Sequence, residues 1–163
     1  MSAFARILLT GGGSAGHVNP ALAIGRALGD ERTAYLYVGV RGRAEATVVP
    51  RDGLPLTFVR AAAYPGARPF RAWLGFLVNI TLGTLKALFV VRRFRPDIIV
   101  GTGGFASAPV MLAAGILRNV GAVHARVYVH EQNAAPGKLN LLVGRLADRV
   151  FVSFPDTLSA FPD

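Results

Sequence analysis

The chain has 163 residues, 52% hydrophobic and 17% charged, enough apolar material for a buried core, which excludes a disordered protein. It contains no cysteine, so disulfide frameworks, thiolate chemistry and cysteine-held metal sites are excluded and a cytoplasmic setting is expected. The formal net charge is +9, carried almost wholly by arginine, with Lys86 and Lys138 the only lysines; this suits a phosphorylated substrate or an anionic lipid surface. No RNA-reading aromatic motif, zinc-finger spacing or basic heptad helix is present, so nucleic acid is set aside as a partner.

At this length the chain is one domain, or one large half of a two-domain protein. A strand is expected at 5–10; its apolar run, Ile7 to Thr10, breaks at glycine and is too short for a signal-peptide core. It leads into Gly11-Gly-Gly-Ser-Ala-Gly-His17, and Asn19 as N-cap with Pro20 behind it predicts a helix over 20–28, followed by Gly29. Strands are expected at 34–39 and 56–60, with a helix over 44–49 between them. Residues 61–69 read as a flexible loop, then an apolar stretch predicts a long helix over 70–92. Pro96 ends it, pushing Arg95 out of helical geometry so that a strand can run over 97–100. A second glycine turn, Gly101 to Pro109, feeds a helix over 109–117 that Ser107 can cap. A strand at 127–130, a helix over 137–146 and a strand at 149–152 follow, and Pro155 to Asp163 shows no further element.

Strands alternating with helices argue for an α/β fold, a Rossmann-like doubly wound parallel sheet. Loops after strands then share one edge, so residues 11–17, 101–109 and the polar run His130-Glu-Gln-Asn-Ala-Ala-Pro136 should meet in one crevice. Glycine turns against helix N-termini offer free N–H groups to phosphate, and His17 at the lip supplies a titratable side chain. Gly11, Gly13 and Gly16 also satisfy a dinucleotide-binding spacing, and Arg41 after the second strand would suit a 2′-phosphate, so an NADP-binding oxidoreductase domain is an alternative. Nothing in that scheme employs the histidine after the third glycine or the second glycine turn.

Five motifs carry a closer resemblance. They are Gly12-Gly-Ser-Ala-Gly-His17, Gly42-Arg-Ala-Glu45 with Val49-Pro50 and Gly53, Pro96-Asp97 through Pro109, His130-Glu-Gln-Asn133 through Gly137, and Ala147 through Pro155. Together they resemble the N-terminal domain of the MurG family of peptidoglycan glycosyltransferases. Departures are Ser14 for threonine, Phe105 for tyrosine and Ala108 for glycine. The resemblance implies that residues 1–163 are the acceptor-binding N-terminal half of a GT-B enzyme, with the C-terminal donor-binding domain absent from the chain. It implies inverting transfer of N-acetylglucosamine from UDP-GlcNAc to the 4-hydroxyl of N-acetylmuramic acid in lipid I, forming lipid II, without cofactor or essential metal. His17 is the first choice for the base and Glu131 the second, or a loop organiser; Ser14, Ala15, Gly16 and Asn133 are implied donor contacts. The N–H groups of Gly12, Gly13, Gly103 and Gly104 are implied to cradle the lipid diphosphate. A non-catalytic, membrane-recruiting subunit of a split glycosyltransferase is the alternative within this resemblance.

A membrane-anchored acceptor implies a peripheral protein on the cytoplasmic face of the plasma membrane. Residues 72–91 would make a helix roughly 30 Å long, enough to span a bilayer. A span would put the two glycine turns on opposite sides of the membrane, and Asn79 and Lys86 suit an interfacial helix better. Phe70, Trp73, Phe76 and Leu77 are the expected docking residues, with Arg68, Arg71 and Lys138 holding anionic headgroups.

Overall fold

A computed structural model describes residues 5–161. Six strands, β1 (Arg6–Thr10), β2 (Ala34–Gly39), β3 (Leu56–Phe58), β4 (Ile98–Gly101), β5 (Arg126–Glu131) and β6 (Arg149–Val152), form one parallel sheet in the order β3-β2-β1-β4-β5-β6. The helices are α1 (Ala15–Leu28), α2 (Ala44–Arg51), α3 (Phe70–Phe94), α4 (Ala108–Asn119) and α5 (Lys138–Gly144). Strand side chains alternate between two cores, as a sheet covered on both faces requires. Ile7 and Leu9 face Val18, Leu22 and Val49 from α1 and α2, whereas Leu8 faces Ala87, Val91, Val110 and Met111 from α3 and α4. The strand order reverses between β1 and β4, so the loops leaving their carboxyl ends diverge and open a crevice there.

Several boundaries differ from the expectation. Helix α1 begins at Ala15 with Ser14 at the N-cap, not at Pro20. Its buried face, Val18, Ala21, Leu22 and Gly25, repeats at helical spacing, and burying Val18 requires helix before Pro20. Pro20 has no N–H to donate to the Gly16 carbonyl one turn back, and Gly16 is open to water. Arg95 does leave helical geometry, but into the left-handed region (φ 50°), where its N–H donates to the Val91 carbonyl at 2.9 Å and stops α3. Ser107 stands at the N-cap of α4, yet its hydroxyl donates to the Gly104 carbonyl at 2.9 Å, pinning the glycine turn instead of capping the helix. Residues Pro155–Ala160 form a 3₁₀ turn, not a loose tail. Buried Thr157 donates to the Ala134 carbonyl at 2.9 Å, and Phe161 closes against Gly144.

Helix α3 packs chiefly on α4 and buries only Gly83, Ala87 and Val91 completely. Gly83 is needed for close approach, because any Cβ there would run into the Arg60 carbonyl and press on Pro109. Both neighbours of α3 in the chain, β3 and β4, belong to the same sheet, so α3 cannot thread a bilayer while the sheet stays whole.

Candidate active site

The three loops meet. The Gly12 N–H donates to the Gly103 carbonyl at 3.2 Å, joining the two glycine turns directly. Thr102 Oγ1 donates to the His17 carbonyl at 2.6 Å, and the buried Tyr37 hydroxyl donates to the Gly11 carbonyl at 2.7 Å. Burial, helped by the nearby Glu45 carboxylate, pushes the Tyr37 phenol well above its usual range and keeps it a donor. Gly104 has φ +72°, and a Cβ on it would strike the Gly12 carbonyl and crowd His17 Cδ2 at 3.0 Å. The turns interlock because side chains are absent where they cross.

His17 lies in the first turn of α1, half-buried, with Nδ1 3.0 Å from the Thr102 carbonyl oxygen. A carbonyl only accepts, so Nδ1 carries the proton of the neutral ring. Gln132 Nε2, itself a donor, lies 2.5 Å from the same nitrogen; turning that amide over would bring its buried, unpartnered Oε1 to the Nδ1 proton in place of a second donor. Nε2 is then left with its lone pair and, among the described residues, no protein partner. The ring borders a crevice of about 310 Å³ shared with Tyr64, Gly104, Phe105, Asn133, Lys138 and Asn140.

Glu131 is placed differently from a proton-transfer group. It has no solvent exposure, and all four of its lone-pair directions are taken. One oxygen accepts from Asn133 N at 2.9 Å and Asn133 Nδ2 at 2.8 Å; the other accepts from Gly137 N at 3.0 Å and Asn140 Nδ2 at 2.8 Å. These bonds tie Glu131 to its own loop and to the start of α5. Asn133 is thereby held with its amide against Glu131 at the crevice wall. Asn140, which sequence reading did not single out, is 2% exposed, and its Oδ1 has no partner. Its only signal in the sequence is a polar residue inside the apolar run Lys138-Leu-Asn-Leu-Leu-Val143.

The four glycines expected at the diphosphate differ in what their N–H groups meet. Gly12 N–H is spent on Gly103, and Gly13 N–H donates at 3.0 Å to Glu45, whose other oxygen accepts from Val40 N at 2.9 Å. Glu45 is wholly buried, and its negative charge directly behind Gly12 and Gly13 opposes a phosphate there. Among the described residues no backbone acceptor takes the N–H of Gly103 or Gly104, so those two donors stay available. Ser14, Ala15 and Gly16 are exposed where α1 starts, and first-turn N–H groups lack a partner within a helix. Glu45 stood in the sequence only as part of a motif; its grip on both loops depends on folding. Two cations flank the crevice: Lys138 lies 5.2 Å from the Tyr64 ring centroid, and Arg43 lies 5.5 Å from that of Phe105.

The expected docking residues divide. Phe70 and Leu77 are exposed, as are Arg68 and Arg71. Trp73 and Phe76 are half-buried in a three-ring cluster with Tyr64, at centroid distances of 5.1 to 6.1 Å. They hold the 61–69 loop over the crevice, so that loop is packed at its aromatic residue. The outward face of α3 instead carries Phe70, Leu74, Val78, Leu85 and Phe89 at helical spacing.

The sequence pattern of the glycosyltransferase family 28 N-terminal domain matches residues 7–152. The chain belongs to that family. A UDP-N-acetylglucosamine–N-acetylmuramyl-(pentapeptide) pyrophosphoryl-undecaprenol N-acetylglucosamine transferase of Moorella thermoacetica is 45% identical over 161 residues, 96% of this chain and 41% of that protein. One of the same name from Symbiobacterium thermophilum is 40% identical over 159 residues, with the same coverage of 96% and 41%. The chain thus spans about two fifths of the length of the curated relatives it matches. Among solved structures, Acinetobacter baumannii MurG superposes with a TM-score of 0.77 at 25% identity, covering 98% of this chain and 43% of that one. The calicheamicin glycosyltransferase CalG4, at TM-score 0.56 and 16% identity over 90% of this chain and 36% of that one, shares the fold. Family 28 membership leaves the NADP reading without support, and Arg41 points the same way: its guanidinium sits 5.3 Å from the Phe58 ring centroid, and it does not line the crevice.

Proposed function

We propose that this family 28 domain is the acceptor side of an inverting glycosyltransferase that moves N-acetylglucosamine from UDP-GlcNAc to lipid I. The 4-hydroxyl of the N-acetylmuramyl sugar attacks C1 of the donor sugar, its proton passes to His17 Nε2, and UDP leaves. The observation that carries this reading is the orientation of His17: Thr102 holds its protonated nitrogen, which turns the basic one free. Gly103 and Gly104 N–H, with Lys138 and Arg43 nearby, offer positive potential to the acceptor diphosphate. Ser14, Ala15, Gly16 and Asn133 face the donor, whose nucleotide a second, C-terminal domain binds. No metal or cofactor enters the scheme. Residues 1–163 supply one wall of the site and the partner domain the other.

The outward face of α3 rests in the cytoplasmic leaflet of the plasma membrane, where Phe70, Leu74 and Leu77 enter and Arg68 and Arg71 meet anionic headgroups. Two measurements test the proposal. In a transferase carrying this domain, His17→Gln should lower kcat on the order of 100-fold or more with KM for UDP-GlcNAc little changed; retention of full kcat refutes the base assignment. Calorimetric titration of the chain with a short-chain lipid I analogue should show saturable binding and NADPH none, and the reverse result refutes the substrate class.

A further inference from the structure

We infer that Tyr64 is a positioning residue: its ring holds the Lys138 ammonium at the crevice, where that ammonium binds the diphosphate of the acceptor. The inference deepens the acceptor reading proposed above and rests on it. Tyr64 comes from the 61–69 loop and Lys138 from the start of α5, and both line the crevice with His17 and Gly104.

The backbone beneath Lys138 is fixed on both sides. Glu131 accepts from Gly137 N at 3.0 Å and from Asn140 Nδ2 at 2.8 Å. The Lys138 side chain is exposed, and its flexible four-carbon stem would otherwise sweep through water. A ligand that has to collect such an ammonium loses affinity to the entropy of ordering it. Tyr64 removes part of that cost: Lys138 Nζ stands over its ring, 5.2 Å from the centroid, where the negative face attracts a cation. The ring is itself braced, because Trp73 meets it edge-to-face at 5.1 Å and Phe76 at 6.1 Å.

The charge held there has no protein partner. Among the described residues no carboxylate oxygen lies within 4.0 Å of Lys138, and Glu131, the acid nearest to it in the chain, is already saturated by four donors. The ring covers one side of the ammonium and leaves its other N–H donors to an anion. The contact is made by the face of the ring, not by the hydroxyl, so phenylalanine can replace tyrosine in this role and an aliphatic residue cannot. A diphosphate entering the crevice therefore meets the open N–H of Gly104 and a cation already in place.

The test has two readouts. Lys86 and Lys138 are the only lysines, so the single variant Lys138→Gln assigns both ε-CH₂ signals in an NMR spectrum. In wild type the Lys138 signal should lie upfield under the ring current of Tyr64. It should return to the free-lysine position in Tyr64→Leu and stay shifted in Tyr64→Phe; a wild-type signal at the free-lysine position overturns the inference. The second readout is calorimetric titration with a short-chain lipid I analogue. Tyr64→Leu should weaken binding roughly 3-fold and Lys138→Gln roughly 10-fold, and Tyr64→Phe should restore most of what leucine loses. The double variant Tyr64→Leu/Lys138→Gln should bind as Lys138→Gln does, because Tyr64 acts only through the ammonium. A double loss near the product of the single losses, roughly 30-fold, would mean that Tyr64 touches the ligand or braces the loop on its own account. That result overturns the inference, as does an unchanged affinity in Tyr64→Leu. Failure of wild type to bind the analogue at all would instead sink the acceptor reading itself. Both positions are exposed, so unchanged melting temperatures serve as the folding control.

Discussion

Replacing Glu131 with glutamine separates an organiser from a proton carrier. The buried carboxylate accepts four hydrogen bonds between 2.8 and 3.0 Å, two at each oxygen. A glutamine keeps the shape but has one acceptor oxygen. Whichever way its amide turns, the NH₂ group meets two donors: either the backbone and side chain of Asn133, or Gly137 N and Asn140 Nδ2. Two buried donors are left unpaired at about 1–3 kcal/mol each, so the cost is about 2–6 kcal/mol. That is a large share of the 5–15 kcal/mol, roughly, that holds an ordinary domain folded. At about 2–4 °C per kcal/mol for a chain of this size, the melting temperature of Glu131→Gln should fall by about 4–24 °C in a circular-dichroism scan at neutral pH. Were Glu131 chiefly a proton carrier with a self-sufficient loop, the same variant would melt with wild type and lose only turnover. A fall of less than about 2 °C would refute the organising role.

Three other outcomes follow from the same geometry. Glu45→Gln should cost about 1–3 kcal/mol, read from the urea midpoint, because one of Gly13 N and Val40 N loses its acceptor; the amides of residues 11–16 should then exchange hydrogen faster. Gly104→Ala should be more damaging, since a left-handed backbone disfavours a side chain by about 1–2 kcal/mol and the Cβ also strikes Gly12, and the check is a melting temperature at least 5 °C lower. His130 carries a buried Nδ1 without a partner, and burial lowers its pKa despite the neighbouring Glu131. Its folded pKa lies below the unfolded value of about 6.5, so the folded state binds fewer protons there and stability is lost as pH falls through that value. Wild type should therefore destabilise between pH 7.5 and 5.5 more than His130→Gln does; parallel curves would contradict the burial argument.

The sequence alone determined the α/β class, the order of six strands and five helices, and the convergence of three loops. Each depends on signals a few residues long: apolar runs of strand length, glycine where a chain turns, Pro96 ending a helix, loops leaving strand ends on one edge. The family was legible for the same reason, because its motifs sit in those loops. Tertiary structure alone decided which polar atoms are free. Gly12 and Gly13 resemble phosphate ligands in one dimension, yet their N–H groups are taken by Gly103 and by Glu45, the latter 32 residues away. The tautomer of His17 depends on Thr102 and on Gln132, which lies 115 residues along the chain. The start of α1 followed the burial of Val18 instead of the cap-like Asn19-Pro20, and Trp73 and Phe76 pack against Tyr64 instead of facing outward with Phe70 and Leu77. Hydrogen-bond donors and aromatic faces are allotted by whatever packs beside them, and those neighbours come from distant parts of the chain. Local pattern therefore specifies the elements, and packing specifies which of their atoms remain available for chemistry.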